Sequence, residues 1–497
     1  MARVGRQDAP EQTRDIELFA AKGEYEPFQV VVSAPEGGLT NVSLKVSDLT
    51  GPDGSVISNT NLPLYREHYI FVDKAAPTYD RTDDTNKSLG PGWYADALVP
   101  FVDPSTGKAP LDARFKADQI SIASGENQPY WIDLFVPRDA EPGQYTGTYT
   151  VTCDQGKVTG QIALNVWNFA LPLEPSEASL FWVWVDKSRE AMAELVRHKI
   201  MPCDIKPEDA EYLKSLGLTM TDLHFFSGAD MHNHTMKPAP SVEELQAKVS
   251  RFPDGVRLLN YTADEIVNVP ELNEPLKEWG RNLHAAGAEQ LFVAPPVPEL
   301  FDDGSGTGRS AVDIWVIQNL YHEMSPENVM EASNRGMEVW TYTAANQDGY
   351  SPKWLADFEP INYRTLQGFL NQSMGFTGVL YWGVDQWRAG NPHTCEVMKD
   401  TWVDIAYFCD GDDFAGEGVL VYPGKDAGVQ GIVPSMRLKW IRKGIEDYEY
   451  IELLKRAGHG ELAIELSKSV AKDFHTWSQD PAVYEKVRHE IADILSK

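Results

Sequence analysis

The sequence predicts a multidomain protein of α/β plus β class: an N-terminal antiparallel β-sandwich, a (β/α)8 TIM-like barrel and a helical C-terminal end. Three changes of texture along the chain carry that prediction. Residues 1–172 alternate short apolar strands with Gly, Pro and Asp punctuation. Residues 173–456 alternate short apolar runs with amphipathic helical stretches, and residues 457–497 are helical alone. At 497 residues the chain exceeds one ordinary domain, for which about 100–200 residues is usual.

In the sandwich, GEYEPFQVVVSAP sets Tyr25 and a proline ahead of a Val-rich run. Further on, Tyr145, Gly147, Tyr149 and Val151 alternate with polar residues, an Asp154-Gln155-Gly156 turn follows, and Ile162, Leu164 and Val166 mark the returning strand. The Pro-rich exit ALPLEPSE around Leu171 is the expected domain boundary. Barrel strands are expected at 180–185, 200–204, 219–226, 256–261, 290–294, 312–317, 337–342 and 377–382. Helices are expected between them at 189–198, 208–216, 242–249, 276–286, 326–335 and 363–374. About eight such units imply a closed barrel. An open doubly wound sheet is the rival, but it wants a Gly-rich nucleotide loop, and GSGTGR at 304–309 follows Asp302-Asp303 rather than a strand. Toward the end, Leu438, Ile441, Ile445, Tyr448, Ile451 and Leu454 recur with helical period, as do Tyr484, Val487, Ile491 and Leu495.

A net charge of −30 argues against a nucleic-acid partner, which needs a positive surface. No apolar run is long enough to span a bilayer, so no membrane span is expected. The N-terminal residues lack the apolar core of a signal peptide, which leaves the compartment open between secreted or periplasmic with a signal removed and cytoplasmic. Cys153, Cys203, Cys395 and Cys409 are scattered without metal-ligand spacing. MHNH at 231–234 has two histidines but no third ligand at a recognisable spacing, and CDGDDFAGEG at 409–418 departs from a calcium loop at Phe414 and Ala415. No metal and no cofactor are expected. The sequence is silent on oligomeric state.

The stretch LLNYTADEI (258–266) is where chemistry is expected. An apolar run passes through Asn260 and Tyr261 and ends on Asp264 and Glu265, as a buried parallel strand does when its C-terminal end opens into a site. Neighbouring carboxylates cannot both ionise cheaply, so one acid and one anion result, the equipment for cleaving a glycosidic bond. The plainer reading is a solvated helix start, where carboxylates are favoured. Other polar or aromatic strand tips are Trp184, His224, Trp340, Tyr342, Trp382 and Asp385. With Tyr261 they would line a sugar pocket if the barrel brings the tips to one face; the alternative is that the aromatics fill the barrel.

GEGVLVYPG followed by VPSMRLKWIRKGIEDYEYIELL, with GEYEPFQVVV near the start and GFTGVLYWGVDQW at 375–387, resembles glycoside hydrolase family 123 and the allied domain of unknown function. The resemblance spans nearly the whole chain. Characterised members are β-N-acetylgalactosaminidases, so it implies a glycan substrate with terminal β-linked N-acetylgalactosamine. It also implies a catalytic role for the Asp264–Glu265 pair, although Ile266 stands where the usual family version has Pro. By the same resemblance the mechanism is substrate-assisted: the 2-acetamido oxygen attacks, Glu265 is acid and base, Asp264 holds the acetamido N–H, and Tyr342 is the first candidate donor to its oxygen. Related hexosaminidases and a non-catalytic carbohydrate binder are the alternatives.

Overall fold

The structure, a computed structural model, describes residues 3–9, 15–79, 85–267, 269–388, 398–409 and 412–497. Alternating apolar positions along the first 170 residues close two packed sheets. One runs in the order Ile16–Lys22, Gly156–Ala170, Gly143–Cys153, Leu39–Val46, Ile120–Ile122, with two short strands attached. The other runs Tyr25–Ser33, Asn127–Phe135, Leu64–Val72, Gly92–Pro100. Phe28, Val30, Leu44, Ile132, Tyr145 and Leu164 meet between them in a shared core. The expected turn is in place, with Cys153 opposite Gly156. The sandwich is antiparallel with one exception: Ile16–Lys22 joins Gly156–Ala170 in parallel.

Beyond the sandwich, seven parallel strands stand side by side around a nearly closed barrel: Ala178–Phe181, Gly378–Tyr381, Glu338–Tyr342, Ile314–Ile317, Glu289–Val293, Arg257–Asp264 and Met220–Asp222. The expectation of eight strands needs correction at 200–204. There the chain makes a single parallel bridge, Phe181 to Pro202, and on its other side the Thr221 hydroxyl donates to the Pro202 carbonyl at 3.1 Å and the Thr219 N–H to the Met201 sulfur at 3.2 Å. Pro202 has no N–H to continue a ladder, which keeps this segment from becoming a full strand. Ile314–Ile317 and Gly378–Tyr381 are buried at every position, the reason they read as unbroken apolar runs. Gly378 is required where it stands, since a Cβ there would lie 2.7 Å from the Trp340 indole.

Helices Arg189–Arg197, Val242–Val249, Asn273–Ala286 and Pro326–Asn334 flank the strands close to their expected bounds. The expected helix at 363–374 is broken by a π turn, Leu366–Leu370, where Gly368 passes against Gly444. At the C-terminal end the 21-residue helix Met436–Arg456 buries its apolar stripe, and its charged face as well. Lys439 and Arg442 reach Asp133 at 2.8 and 2.5 Å, Lys443 reaches Glu24 at 2.5 Å, and Arg437 reaches Asp96 at 2.9 Å. All three acids belong to the sandwich, so this helix is the seam between the two sheets and the barrel. Among the described residues no helix is long and apolar enough to cross a membrane.

Candidate active site

Because the barrel strands are parallel, their C-terminal ends share one mouth. Arg257–Asp264 enters it with a bulge: Tyr261 faces Leu291 and Ala263 faces Phe292 on the next strand, leaving Thr262 as an extra residue. Such a bulge bends the strand and re-aims the residues beyond it. Buried Asn260 secures the preceding tip, accepting from the Phe225 N–H at 3.0 Å and donating to its carbonyl at 2.9 Å. Glu265 then leaves the strand with φ of +49°, a left-handed conformation uncommon for a side chain of this size. Its backbone N–H donates to the Val293 carbonyl at 2.8 Å, which fixes that turn.

The Glu265 carboxyl is open to solvent at the mouth yet ringed by protein. Burial pushes its pKa up, the Asp264 charge adds to that, and the Gln318 amide, donating to Oε1 at 2.7 Å, partly opposes both. Tyr261 hydrogen-bonds the Asp264 carboxylate, and its own hydroxyl is held well above its ordinary pKa by burial and by that charge. Tyr342 stands beside the same two acids: burial, then Asp264 and Glu265, raise it likewise. Asp264, Glu265, Tyr261 and Tyr342 therefore form one cluster. Trp182 packs edge-on against Tyr261 with centroids 4.5 Å apart, and Phe226 stacks near it at 6.1 Å.

The remaining predicted residues divide. Trp382 and Trp184 are half-buried at the mouth, joined by the Trp184 indole N–H donating to the Trp382 carbonyl at 2.8 Å. His224 sits on the neighbouring tip with φ of +63° and Nδ1 3.6 Å from Asp222, whose carboxylate raises its pKa. Two assignments are corrected. Trp340 is fully buried inside the barrel and its indole donates to Glu338 at the opposite end, at 2.8 Å, so no sugar can reach it. Asp385 is also fully buried. It accepts three backbone N–H groups, from Trp184 at 2.7 Å, Val185 at 2.9 Å and Asp186 at 2.7 Å, and so holds the first strand's loop rather than a substrate.

Sequence reasoning missed three residues here. Gln318 is the first polar residue after the apolar run 314–317, the same tip position that singled out Asp264. Tyr321, one helical turn on, has its hydroxyl raised by burial and by Glu265 and Asp264. Glu417 is fully buried and raised to about 7 by burial, although Trp382 Nε1 and the Ala345 N–H both donate to it. Its place in GEGVLVYPG gave no sign that it folds back under Trp382. Two cavities lie away from the acid pair, one of about 210 Å³ lined by Arg189, Glu194 and Tyr212 and one of about 280 Å³ on the sandwich. Among the described residues no group of His, Cys, Asp and Glu could hold a metal ion.

A parallel barrel with two acids at its mouth is a common frame for carbohydrate-cleaving enzymes, and the comparisons with known proteins agree. Residues 4–153 match the family model for the glycoside hydrolase 123 N-terminal domain, and residues 306–454 match that for the glycoside hydrolase 123 catalytic domain. Together these stretches cover more than half of the chain, which belongs to glycoside hydrolase family 123. Asp264 and Glu265 lie between the two matched stretches. Among solved structures, a family 123 glycoside hydrolase from Clostridium perfringens, studied for glycolipid glycan hydrolysis, shares the fold at TM-score 0.63 and 14% identity, over 97% of this chain and 93% of that one. An endo-β-1,4-mannanase from Thermotoga petrophila has TM-score 0.30 and 12% identity over 56% of this chain and 77% of that one. A β-glucuronidase from Parabacteroides merdae has TM-score 0.29 and 9% identity over 85% and 51%. No curated protein sequence matches the chain.

Proposed function

We propose that this glycoside hydrolase is a retaining exo-enzyme that releases terminal β-linked N-acetylgalactosamine with the help of the substrate's own 2-acetamido group. The observation that carries the reading is the adjacent pair at the mouth: Glu265 with its pKa raised by burial and by Asp264, and Asp264 held by Tyr261. Adjacent acids on one strand tip suit a division of labour other than protein nucleophile and acid, which face each other across the sugar about 5–5.5 Å apart. Glu265, protonated, gives its proton to the leaving oxygen as the acetamido oxygen closes on the anomeric carbon; the bond to the aglycone breaks and an oxazoline-type ring forms. Asp264 accepts the acetamido N–H and stabilises the positive charge that develops there. The Tyr342 hydroxyl is available to donate to the acetamido oxygen and orient it. Glu265, now anionic, takes a proton from water as that water opens the ring and restores the sugar.

A panel of nitrophenyl glycosides tests this. Rapid release from the β-N-acetylgalactosaminide, with very poor hydrolysis of the matching β-galactoside, is the expected result, because only the former carries the internal nucleophile. A thiazoline mimic of the cyclic intermediate should inhibit far more tightly than substrate binds. Full activity on a β-galactoside, or a 2-fluoro sugar trapped on Asp264 or Glu265, would overturn the mechanism. Preference for the N-acetylglucosaminide would keep the mechanism and change the sugar.

A further inference from the structure

The sandwich carries a cleft that the barrel chemistry does not use. It has a volume of about 280 Å³ and is lined by Arg66, His68, Tyr69, Trp93 and Gln128 from one sheet and by Ser121 and Ile122 from the facing strand Ile120–Ile122. Arg66 is what sets it apart. The four arginines with fully buried side chains elsewhere, or nearly so, each meet a carboxylate: Arg364 meets Asp447, Arg437 meets Asp96, Arg442 meets Asp133 and Arg488 meets Glu24. Arg66 is half-buried, which brings its pKa down to about 10, and among the described residues its bonded acceptor is the neutral Lys116 carbonyl, at 2.7 Å from Nε. The other charges in the cleft cancel. Arg6 is paired with both oxygens of Glu126 at 2.9 and 2.8 Å, and His68 is kept neutral at ordinary pH by burial and by Arg66, its pKa lowered to about 4. One uncompensated guanidinium thus faces a cavity in a protein whose net charge is −30. A half-buried charge that lacks a carboxylate partner is poorly compensated, and an arriving carboxylate that takes two N–H groups at once supplies one.

The rim is aromatic. Trp93 and Phe71 face each other across neighbouring strands with ring centroids 5.2 Å apart, each is 47% exposed, and the Arg6 guanidinium lies over one face of the Trp93 ring at 4.6 Å. Exposed aromatic faces beside polar side chains are what the C–H surface of a pyranose packs on. We propose that this cleft is a second carbohydrate site, which takes a uronate sugar with its carboxylate on Arg66 and its ring toward Trp93. The Ser121 hydroxyl lies in the lining for a ring hydroxyl to meet, whereas the Gln128 amide nitrogen already donates to the Glu67 and Pro129 carbonyls, both at 2.8 Å. This site would anchor an acidic glycan on the sandwich, whichever sugar the barrel cleaves.

The test compares methyl β-glucuronide with methyl β-glucoside, which differ in the carboxylate, by ligand-detected NMR titration of the full chain with the barrel mouth filled by the thiazoline inhibitor. The glucuronide should bind at least about tenfold more tightly. Arg66→Gln should remove that advantage, and Trp93→Ala, a change at an exposed position, should weaken both sugars. Neither variant should alter hydrolysis of a nitrophenyl substrate. Equal affinity for the two sugars, or a glucuronide affinity that survives both substitutions, overturns the proposal. Inorganic sulfate that binds as well as the glucuronide and ignores Trp93→Ala would make this a bare anion site and overturn it equally. If Arg66→Gln does not fold, the glucuronide-to-glucoside ratio and Trp93→Ala still decide.

Discussion

On a regular strand, adjacent side chains point to opposite faces, so Asp264 and Glu265 could not both serve one sugar if the strand ran straight on. The extra residue at Thr262 and the left-handed Glu265 bring the pair together. Sequence alone locates the acids but not the turn that converges them, since nothing in TADEI announces a positive φ at a glutamate. Gln318 offers the cleanest handle on Glu265. Its amide donates to the carboxylate and so favours the ionised form. Gln318→Leu should therefore raise the Glu265 pKa further. Glu265, the proposed general acid, would stay protonated to higher pH, and the alkaline limb of kcat/KM should move up. Asp264→Asn removes the charge that raises Glu265, so the same limb should move down, alongside a large loss of rate. An alkaline limb that ignores both changes would assign it to another group. Glu265→Gln should cost about 10²–10⁴-fold on substrates with sugar leaving groups and much less on nitrophenyl substrates, whose leaving group needs little protonation.

A loop at the mouth is held by Asp385, which the strand-tip pattern had offered as a substrate contact. Asp385 satisfies three successive backbone N–H groups of the loop after Ala178–Phe181, and the Trp184 indole ties that loop to Trp382. Asp385→Ala should lower stability by about 3 kcal/mol, because buried donors lose a charged acceptor. It should also loosen Trp184, seen as a change in tryptophan emission together with a raised KM. A tip residue's position along the strand is legible in sequence; whether its side chain turns to the mouth, into the barrel or back to its neighbour's backbone depends on which partner lies across from it. Trp340 shows this as well, because it is Gly378 on the next strand that opens the space it fills. The reduced strand at 200–204 is a similar case: the apolar run is there, but Pro202 removes the donor that pairing needs.

At the scale of the molecule, the sandwich and the barrel share the helix Met436–Arg456 and its buried charges. Arg437, Lys439, Arg442 and Lys443 of this helix meet Asp96, Asp133 and Glu24 of the sandwich, pairings across more than 300 residues that no local pattern displays. Breaking one pair should cost about 3–5 kcal/mol, as with Asp133→Ala, which leaves Lys439 and Arg442 buried without their anion. Arg442 and Lys439 hold the Asp133 carboxyl far below its usual range against the pull of burial. Its contribution is therefore full above about pH 4 and declines as acid protonates it, and thermal melts of Asp133→Asn should show a flatter loss of stability below that pH. The same seam sets the order of events on the ribosome. Asp133 leaves the exit tunnel 306 residues before Lys439, an interval of roughly 15–60 s at ordinary elongation rates, and Glu24 waits longer still for Lys443 and Arg488. The nascent sandwich must spend that time with a raw acidic face and complete itself only when the last helices arrive, so chains stalled or cut before residue 436 should be met by chaperones and proteases rather than accumulate as a stable N-terminal half.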